Sequence, residues 1–391
     1  MVIGYFRSEF KRRSAVLTGI RGFAALWVFL FHVWLKSGKP ELALQLWWGK
    51  LTFTPLVSIG FGGITVFFVL SGFLLGSQFA KCHVDSTPFP SLRRYYIRRI
   101  LRVIPAYYFQ LFILMAIFAI INSTQYEEFN VENFSKHLLM LFMPQPLGTV
   151  PLNLVWWTLP IEFSFYLLLP ILSIFLVPAR WVYLLFLSLG IMIFWRYIMI
   201  LRFEQAPIND RVYATYQLFG SFDMFGIGML FSIFYANIQS VPKEYINVAK
   251  SNFFFLVAVA LLVFCTYWLA GDRNRYWANF PIFYTWTPVL SVAIGMAITS
   301  SMLGNAVAMR IFGNRLIVYF GVISYSFYLW HLPVIDSLIW YMELIGSKPL
   351  GLIGLLTGSL VLSTVISFLS FAVSEFPFLQ LGRKKCVCQS C

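Results

Sequence analysis

The sequence predicts an all-α, polytopic membrane bundle with about ten transmembrane helices and with both termini in the cytoplasm. The first observation is composition: 60% of the 391 residues are hydrophobic and only 11% are charged, whereas soluble domains carry about 25% charged residues. The second observation is the recurrence of apolar runs of about 20 residues, the length that crosses a bilayer as a helix. The third is an unequal distribution of basic residues among the segments between those runs.

Ten apolar segments are long enough to be membrane spans, and residues 1–391 are predicted to form a single domain around them. The predicted spans are 16–36, 59–80, 101–121, 152–176, 182–201, 214–236, 252–270, 281–303, 316–341 and 351–373. A further apolar stretch at 137–144 is too short to cross a membrane. A short basic tail, 374–391, follows the last predicted span.

The charge distribution gives the predicted bundle its orientation. With the N-terminus inside, the inner segments hold seventeen basic and four acidic residues, whereas the outer segments hold nine basic and eight acidic residues. This asymmetry follows the positive-inside rule, and it accounts for the net charge of +14 without a nucleic-acid partner. The inner set includes Arg12, Arg13, Lys243 and Glu244. The sequence therefore predicts a multi-pass protein of the cell (inner) membrane.

The two ends of the chain carry few functional signals. The basic N-terminal segment precedes a full-length span without a small-residue cleavage site, so the first span is expected to remain as an anchor. Cys82, Cys386, Cys388 and Cys391 lie in segments predicted to be cytoplasmic, where disulfides are rare. The tail CVCQSC suits metal binding or lipid attachment, but a frayed terminus is the favoured interpretation. No metal cofactor is predicted.

A small set of ionisable residues falls within the predicted spans. Such residues are costly in a bilayer, usually face the bundle interior and are functional by default. They are Arg21, His32, Arg102, Glu162, Arg196, Asp223, His331 and Asp336.

Arg21 and His32 are eleven residues apart on the first span. Eleven helical steps of about 100° return to nearly the same face, with the two residues roughly 16 Å apart along the axis. This shared face favours a functional interpretation. The alternative for His32 is a packed polar residue that is hydrogen-bonded to a neighbouring helix.

The fourth span supplies a candidate partner for His32, and the ninth span carries two further ionisable residues. Glu162 lies just after Pro160 at a depth similar to that of His32, and we expect the two side chains to pair. A neighbouring carboxylate raises the basicity of an imidazole and fixes its tautomer. A structural ion pair between Glu162 and an arginine is the alternative. His331 and Asp336 form either a second polar wall of the same cavity or part of an interfacial belt of Tyr and Trp.

Two further patterns have open interpretations. In the second span, Gly72 and Gly76 fit the small-xxx-small pattern of close helix packing. In RRYYIRRILRVIPAYY, Arg99 and Arg102 lie at the predicted cytoplasmic entrance of the third span. Guanidinium groups suit the binding of phosphate groups, and anchoring to anionic lipid headgroups is an equally supported alternative.

Six stretches of the chain, taken together, resemble the signatures of the membrane-bound acyltransferase family 3. They are RGFAALWVFLFH in the first span, FFVLSGFLLG in the second, RRILRVIPAYY at the third, WTLPIEFSFYLLLP in the fourth, ISYSFYLWHLP in the ninth and SEFPF at 374–378. Each signature alone is modest, but six in the family's order are specific. The resemblance implies an integral membrane enzyme that transfers acyl groups to cell-surface carbohydrates and similar acceptors.

The resemblance also implies roles for individual residues. His32 matches the catalytic histidine, Glu162 the motif carboxylate, Arg21, Arg99 and Arg102 the arginines assigned to acyl-CoA, and Gly72, Phe73 and Leu74 the element that lines the donor path. Thr65, Tyr166, His331 and Asp336 are assigned to the substrate cavity. Thr65 stands where many carbohydrate-modifying members carry an aspartate, and this departure weakens the assignment of the acceptor.

The implied donor is acyl-CoA, with acetyl-CoA as the default, and its phosphates are expected near Arg99 and Arg102. His32 would act as a general base on an acceptor hydroxyl or would itself attack the thioester to give an acyl-histidine; the sequence leaves both open. The implied partners are a carbohydrate or lipid-linked glycan acceptor and membrane lipid, and homo-oligomerisation stays open. The alternative function is a carbohydrate or lipid transporter or flippase, because buried charges and broken helices also suit transport.

Overall fold

The computed structural model describes residues 2–11, 15–120, 130–142, 149–240, 248–347 and 350–387 of the protein, and these residues are almost entirely helical. The prediction of an all-α membrane bundle is confirmed. Several predicted features lie outside the described residues: Arg12, Arg13, Lys243, Glu244, Cys388, Cys391, the side chain of Cys386 and the end of the apolar stretch at 137–144.

Helices account for nearly all of the described elements. The first part of the chain forms α1 (Val2–Lys11), α2 (Ala15–Lys36), α3 (Thr54–Ser58), α4 (Gly63–Val84), α5 (Leu92–Ile120), α6 (Val131–Leu138) and α7 (Thr158–Leu172). The middle forms α8 (Trp181–Arg202), α9 (Ile208–Thr215), α10 (Phe222–Ser240), α11 (Val248–Gly271), α12 (Arg273–Tyr276), α13 (Pro281–Met302) and α14 (Ala306–Phe312). The last part forms α15 (Arg315–Val322), α16 (Ser324–Leu344), α17 (Leu352–Ser370), a π-helical turn (Phe371–Glu375) and α18 (Phe376–Val387).

Short elements connect these helices. Single 3₁₀ turns occupy Gly60–Gly62, Leu154–Trp157, Ser173–Phe175, Pro178–Arg180 and Phe219–Ser221. An antiparallel hairpin of β1 (Ala43–Leu46) and β2 (Gly49–Thr52) follows α2, with Ala43 opposite Thr52.

The spans agree with the hydropathy of the sequence. Within the described ranges, nine helical segments are long and apolar enough to cross a membrane, and one bent pair of helices supplies a tenth. The nine contain α2, α4, α5, α7, α8, α10, α11, α13 and α17, and the pair is α15 with α16. Each of the ten predicted spans overlaps one of them.

The predicted ninth span is broken in two. α15 and α16 meet at Ile323 with a bend of 80°, so residues 316–341 do not form one straight helix. The backbone N–H of Ser326, in the first turn of α16, donates to Oε1 of Glu375 at 3.0 Å. The carboxylate therefore satisfies a donor that every helix start leaves unpaired, and its charge lies at the favourable end of the helix dipole.

The third span begins earlier than predicted. α5 runs without interruption from Leu92 to Ile120 and has Pro105 in its interior. The basic residues that the sequence placed at the entrance of the third span therefore belong to the span helix itself. This continuity places Arg99 and Arg102 on the same rigid element as the membrane-crossing residues.

α4 and α10 pack backbone against backbone. A Cβ atom added to Gly72 would lie 3.2 Å from the Cα of Gly228 and still nearer to the carbonyl of Phe225. One added to Gly76 would lie 2.7 Å from Oγ of Ser232. The small-residue pattern of α4 is therefore used for close helix packing.

α2 lies in the interior of the bundle. It contacts α4, α13, α15 and α16, and its buried residues run from Ala15 to Trp34. Phe23 and Leu30 form the exposed side of α2, whereas the side that carries His32 is turned towards α16.

Candidate active site

A small cavity lies between α2, α4, α7 and α16. Its volume is about 50 Å³. The charged residues in its wall are Arg21 from α2 and Glu162 from α7, and the hydroxyl residues are Ser71, Thr158, Ser324, Tyr325 and Tyr328. The remaining lining is apolar and consists of Ile64, Phe67, Phe68, Leu70, Leu74 and Leu159.

The Glu162 carboxylate is held by two hydroxyl groups. Ser71 on α4 donates to Oε1 of Glu162 at 2.8 Å. Tyr166, one turn further along α7, donates to the same oxygen. Arg21 shares the cavity wall, and its Nε has no hydrogen-bond partner among the described residues although it is buried. The cavity therefore offers an unused guanidinium donor beside a fixed carboxylate.

Two arginines, Arg99 and Arg102, lie on α5 between the N-terminal end of that helix and the cavity. The guanidinium of Arg99 lies over the ring of Tyr166, 5.6 Å from its centroid, and Tyr166 in turn bonds Glu162. Arg102 pairs with Glu375, with 3.4 Å between its NH1 and Oε2. The side chain of Arg102 is 18% exposed and that of Glu375 only 1%.

Glu375 is a site residue that sequence reasoning did not assign. It closes the π-helical turn, a helical form that is frequent at functional sites. One carboxylate oxygen accepts from the backbone and hydroxyl of Ser326, and the other faces Arg102. The SEFPF signature was the available signal, because its glutamate is the only acidic residue in the basic tail, 374–391.

The structure pairs His32 with His331 rather than with Glu162. Nδ1 of His32 lies 3.1 Å from Nε2 of His331 and 3.0 Å from the carbonyl of Val28. Glu162 instead bonds Ser71 and Tyr166. The expected contact between His32 and Glu162 is therefore wrong.

His32 lies beyond the cavity and not in its wall. Tyr328 connects the two regions, because its side chain lines the cavity while its carbonyl lies 2.7 Å from Nδ1 of His331. His331, expected in the cavity wall, is also absent from the lining. The structure thus places the arginine–carboxylate group and the histidine pair in adjacent regions of one interior.

The SGFL segment of the second-span signature, Ser71 to Leu74 on α4, divides between two surfaces. Ser71 and Leu74 line the cavity. Gly72 packs against the backbone of α10, and the ring of Phe73 lies 5.6 Å from that of Tyr235 on α10. Gly72 and Phe73, assigned to the donor path from the resemblance, therefore face a helix interface instead.

Three other predicted cavity residues lie outside the cavity wall. Thr65 is buried on α4, with 3% of its surface exposed, and is not among the lining residues. Tyr166 reaches the cavity only through its bond to Glu162. Asp336 pairs with Lys36 at 2.6 Å, and both side chains are more than one third exposed. This pair lies at the opposite end of α2 from Arg21.

A second buried charge pair lies away from the cavity. Arg196 on α8 and Asp223 on α10 are both fully buried, with 3.8 Å between the guanidinium and carboxylate. Arg196 also donates to the carbonyls of Gly220 at 2.9 Å and Phe283 at 2.6 Å. These contacts connect α8, α10 and α13, which makes the pair part of the bundle's framework.

Comparison with known proteins places the chain in a family. Residues 15–372 match the model of acyltransferase family 3, described as an acyltransferase domain. A proposed O-acetyltransferase of Staphylococcus aureus is 22% identical over 396 residues, which cover 97% of this chain and 60% of the relative. A proposed peptidoglycan O-acetyltransferase of Bacillus subtilis is 24% identical over 357 residues, covering 85% of this chain and 50% of the relative. A proposed acetyltransferase of Acidianus two-tailed virus is 26% identical over 348 residues, covering 89% and 88%.

The two bacterial relatives are longer than the matched region. The chain spans 60% of the length of the staphylococcal relative and half of that of the Bacillus relative. No solved structure matches the chain. Because the family match covers residues 15–372, almost the whole membrane bundle, the protein belongs to acyltransferase family 3.

Proposed function

We propose that the protein is an integral membrane O-acyltransferase that moves an acetyl group from cytoplasmic acetyl-CoA to a hydroxyl of a cell-surface or lipid-linked carbohydrate. The observation that carries this proposal is the internal cavity, which holds Arg21 and Glu162 inside an apolar bundle, with the pair of His32 and His331 in the adjacent region. The names of the bacterial relatives support an acetyl group and a carbohydrate acceptor. Residues 1–391 then act as one catalytic domain in the cell (inner) membrane.

The proposed donor path begins at the N-terminal end of α5. Arg99 and Arg102 present guanidinium groups there, and forked guanidinium donors match phosphate oxygens. From Arg99, contacts continue through Tyr166 to Glu162 in the cavity wall. This series of contacts supports entry of the CoA phosphates at that face, which the charge asymmetry of the loops makes the cytoplasmic face.

The proposed chemistry takes place at His32. Nε2 of His32 accepts the proton of the acceptor hydroxyl while the hydroxyl oxygen attacks the thioester carbon. The carbon–sulfur bond breaks, and the CoA thiolate takes the proton from the imidazolium, so that the products are the ester and free CoA. Tyr328 lies between the cavity and the histidine pair, so the thioester passes this residue before it reaches Nε2 of His32.

The proposal is tested in cells by the O-acetyl content of surface glycans, measured by mass spectrometry with and without the gene. We expect His32→Ala to abolish acetylation and Arg102→Ala to lower it at least tenfold, in the range of a lost charged hydrogen bond or more. Arg202→Ala is the matched control, because Arg202 is an exposed residue at the end of α8. Membrane insertion of each variant is checked by immunoblotting, and an inserted His32→Ala protein with full activity would refute the proposal.

A further inference from the structure

We infer that His331 is a positioning residue that fixes the tautomer of His32, so that Nε2 of His32 is the unprotonated nitrogen that faces the reaction. This inference rests on the proposed function, because it assigns a partner to the base proposed there. His331 thereby takes the orienting role that the sequence predicted for Glu162. The argument follows from which atoms around the two rings are able to donate a hydrogen bond.

The surroundings of His331 determine where its proton lies. Nδ1 of His331 lies 2.7 Å from the carbonyl of Tyr328 and 3.2 Å from that of Phe327. Carbonyl oxygens only accept hydrogen bonds, so Nδ1 carries the proton. In the neutral ring the other nitrogen, Nε2, is then an acceptor. His331 therefore presents a lone pair towards α2.

The same reasoning determines the proton of His32. Its Nδ1 lies 3.1 Å from the Nε2 lone pair of His331 and 3.0 Å from the carbonyl of Val28. Both neighbours are acceptors, so Nδ1 of His32 carries a proton and donates it. Its Nε2 is left unprotonated, and no described residue bonds this atom. Two independent acceptors thus select the tautomer that a general base requires.

Packing holds the ring of His331 in this orientation. His331 is fully buried, with 0% of its surface exposed. The ring of Phe327 lies parallel to it at 14°, with 6.3 Å between centroids, and Phe29 of α2 meets its edge at 6.5 Å. By contrast His32 is only partly buried, as expected of the ring that meets substrate. The buried ring therefore sets the orientation of the accessible one.

This arrangement has a consequence for the reaction. When Nε2 of His32 takes the hydroxyl proton, the ring becomes a cation with a proton on each nitrogen. Its Nδ1–H then remains bonded to Val28 and His331, which stabilises the cation without moving either ring. Loss of His331 lowers the fraction of the reactive tautomer and the stability of the imidazolium, and it leaves the binding of acetyl-CoA unchanged.

The tautomer is measured directly by NMR on ¹⁵N-histidine-labelled protein in detergent. The chain has four histidines, and the His32 signals are assigned by their loss in His32→Gln. We expect a protonated Nδ1 and a bare Nε2 on His32 in the unaltered protein. In His331→Leu, which leaves the Val28 carbonyl as the remaining acceptor, we expect a measurable population of the second tautomer, with the proton on Nε2. A proton on Nε2 of His32 in the unaltered protein would overturn the inference.

Kinetics distinguish positioning from a purely structural role. The assay follows turnover of labelled acetyl-CoA by purified protein with soluble peptidoglycan fragments as the acceptor probe. We expect His331→Leu to lower kcat about 10- to 100-fold, less than the full contribution of a general base because the base itself remains, with an unchanged KM for acetyl-CoA. His331→Gln, whose amide oxygen is able to accept from Nδ1 of His32, should recover at least half of the loss on a logarithmic scale.

A matched control and two readouts separate failure of the inference from failure of the proposed function. His83→Gln should leave kcat unchanged, because His83 bonds the carbonyl of Ser173, away from the pair. Should the NMR result hold while His32→Ala retains activity, the proposed function fails and the tautomer assignment stands. Should His32 be essential while His331→Leu changes neither the tautomer nor kcat, the inference alone fails.

Discussion

At the scale of residues, the hydroxyl group of Tyr166 connects two charges of the candidate site. The hydroxyl donates a hydrogen bond to Glu162, while the ring of Tyr166 lies beneath the guanidinium of Arg99. Hydrogen bonds to a charged group are stronger than those between neutral groups. Removal of the hydroxyl alone therefore tests the carboxylate's position without disturbing the aromatic contact.

We predict that Tyr166→Phe lowers acetyl-CoA turnover by about tenfold, since a hydrogen bond to a charged group contributes about 1.5 kcal/mol or more. The ring remains, so the contact with Arg99 and the fold should persist. Tyr96→Phe is the control: the Tyr96 hydroxyl on α5 donates to the carbonyl of Leu167 on α7, at an exposed position. Equal rates for both variants would show that the hydroxyl on Glu162 has no role in turnover.

At the scale of elements, the interface between α4 and α10 limits side-chain size. A Cβ atom at Gly72 would meet backbone atoms of Phe225 and Gly228, and backbone cannot rotate away as a long side chain does. The helices would separate to admit a methyl group. Since Ser71 and Leu74 on the same turn of α4 line the cavity, separation would also alter the site.

We predict that Gly72→Ala destabilises the protein by about 1–3 kcal/mol, the usual cost of overpacking, and lowers activity as well. The control is Gly190→Ala on α8, where a Cβ atom has nothing within 4 Å. Alanine there should be neutral or stabilising by up to about 1 kcal/mol, because glycine disfavours a helix interior. The measurement is the midpoint of thermal unfolding in detergent, and a Gly72→Ala midpoint equal to that of Gly190→Ala would contradict the close packing.

Hydropathy predicted the spans better than it predicted their breaks. Ten apolar runs were identified because bilayer thickness sets the length of a span. The 80° bend at Ile323 was not predicted, because the apolar run continues through it and Gly321 was not recognised as a break. Glu375 caps the new helix start from another part of the chain, and such a contact leaves no local pattern.

At the scale of the whole molecule, the pair of Arg196 and Asp223 joins three spans through buried polar groups. Arg196 retains two carbonyl partners if Asp223 is lost. The buried Asp223 carboxylate, by contrast, relies on Arg196 for its opposing charge. Loss of Asp223 therefore leaves the arginine with hydrogen-bond partners, whereas loss of Arg196 leaves a buried carboxylate without its counter-charge.

We predict that Arg196→Met is the more destabilising single change, by about 3–5 kcal/mol, since it leaves a buried carboxylate without its partner. Asp223→Asn should cost less, and the double variant should be more stable than Arg196→Met alone. The control is Arg202→Met at the exposed end of the same helix. Thermal unfolding of the purified proteins measures all four, and additive effects in the double variant would show that the charges are not coupled.

The candidate site was only partly predictable from the sequence. The ionisable residues of the spans were identified individually, because charge in an apolar run is conspicuous. Their partners were not: His32 and His331 are 299 positions apart, and similar depth in the membrane led to the wrong pairing with Glu162. Depth is set by position along a span, whereas pairing also requires the rotation of each helix and the neighbour it faces.

The late position of Glu375 in the sequence determines when its contacts are able to form during synthesis. The carboxylate that caps α16 and faces Arg102 leaves the ribosome after every wall of the cavity has been made. Until Glu375 is made, Arg102 lacks this counter-charge and the backbone N–H of Ser326 at the start of α16 lacks this acceptor. The segment that follows the tenth span therefore joins the third span to the ninth through a single carboxylate.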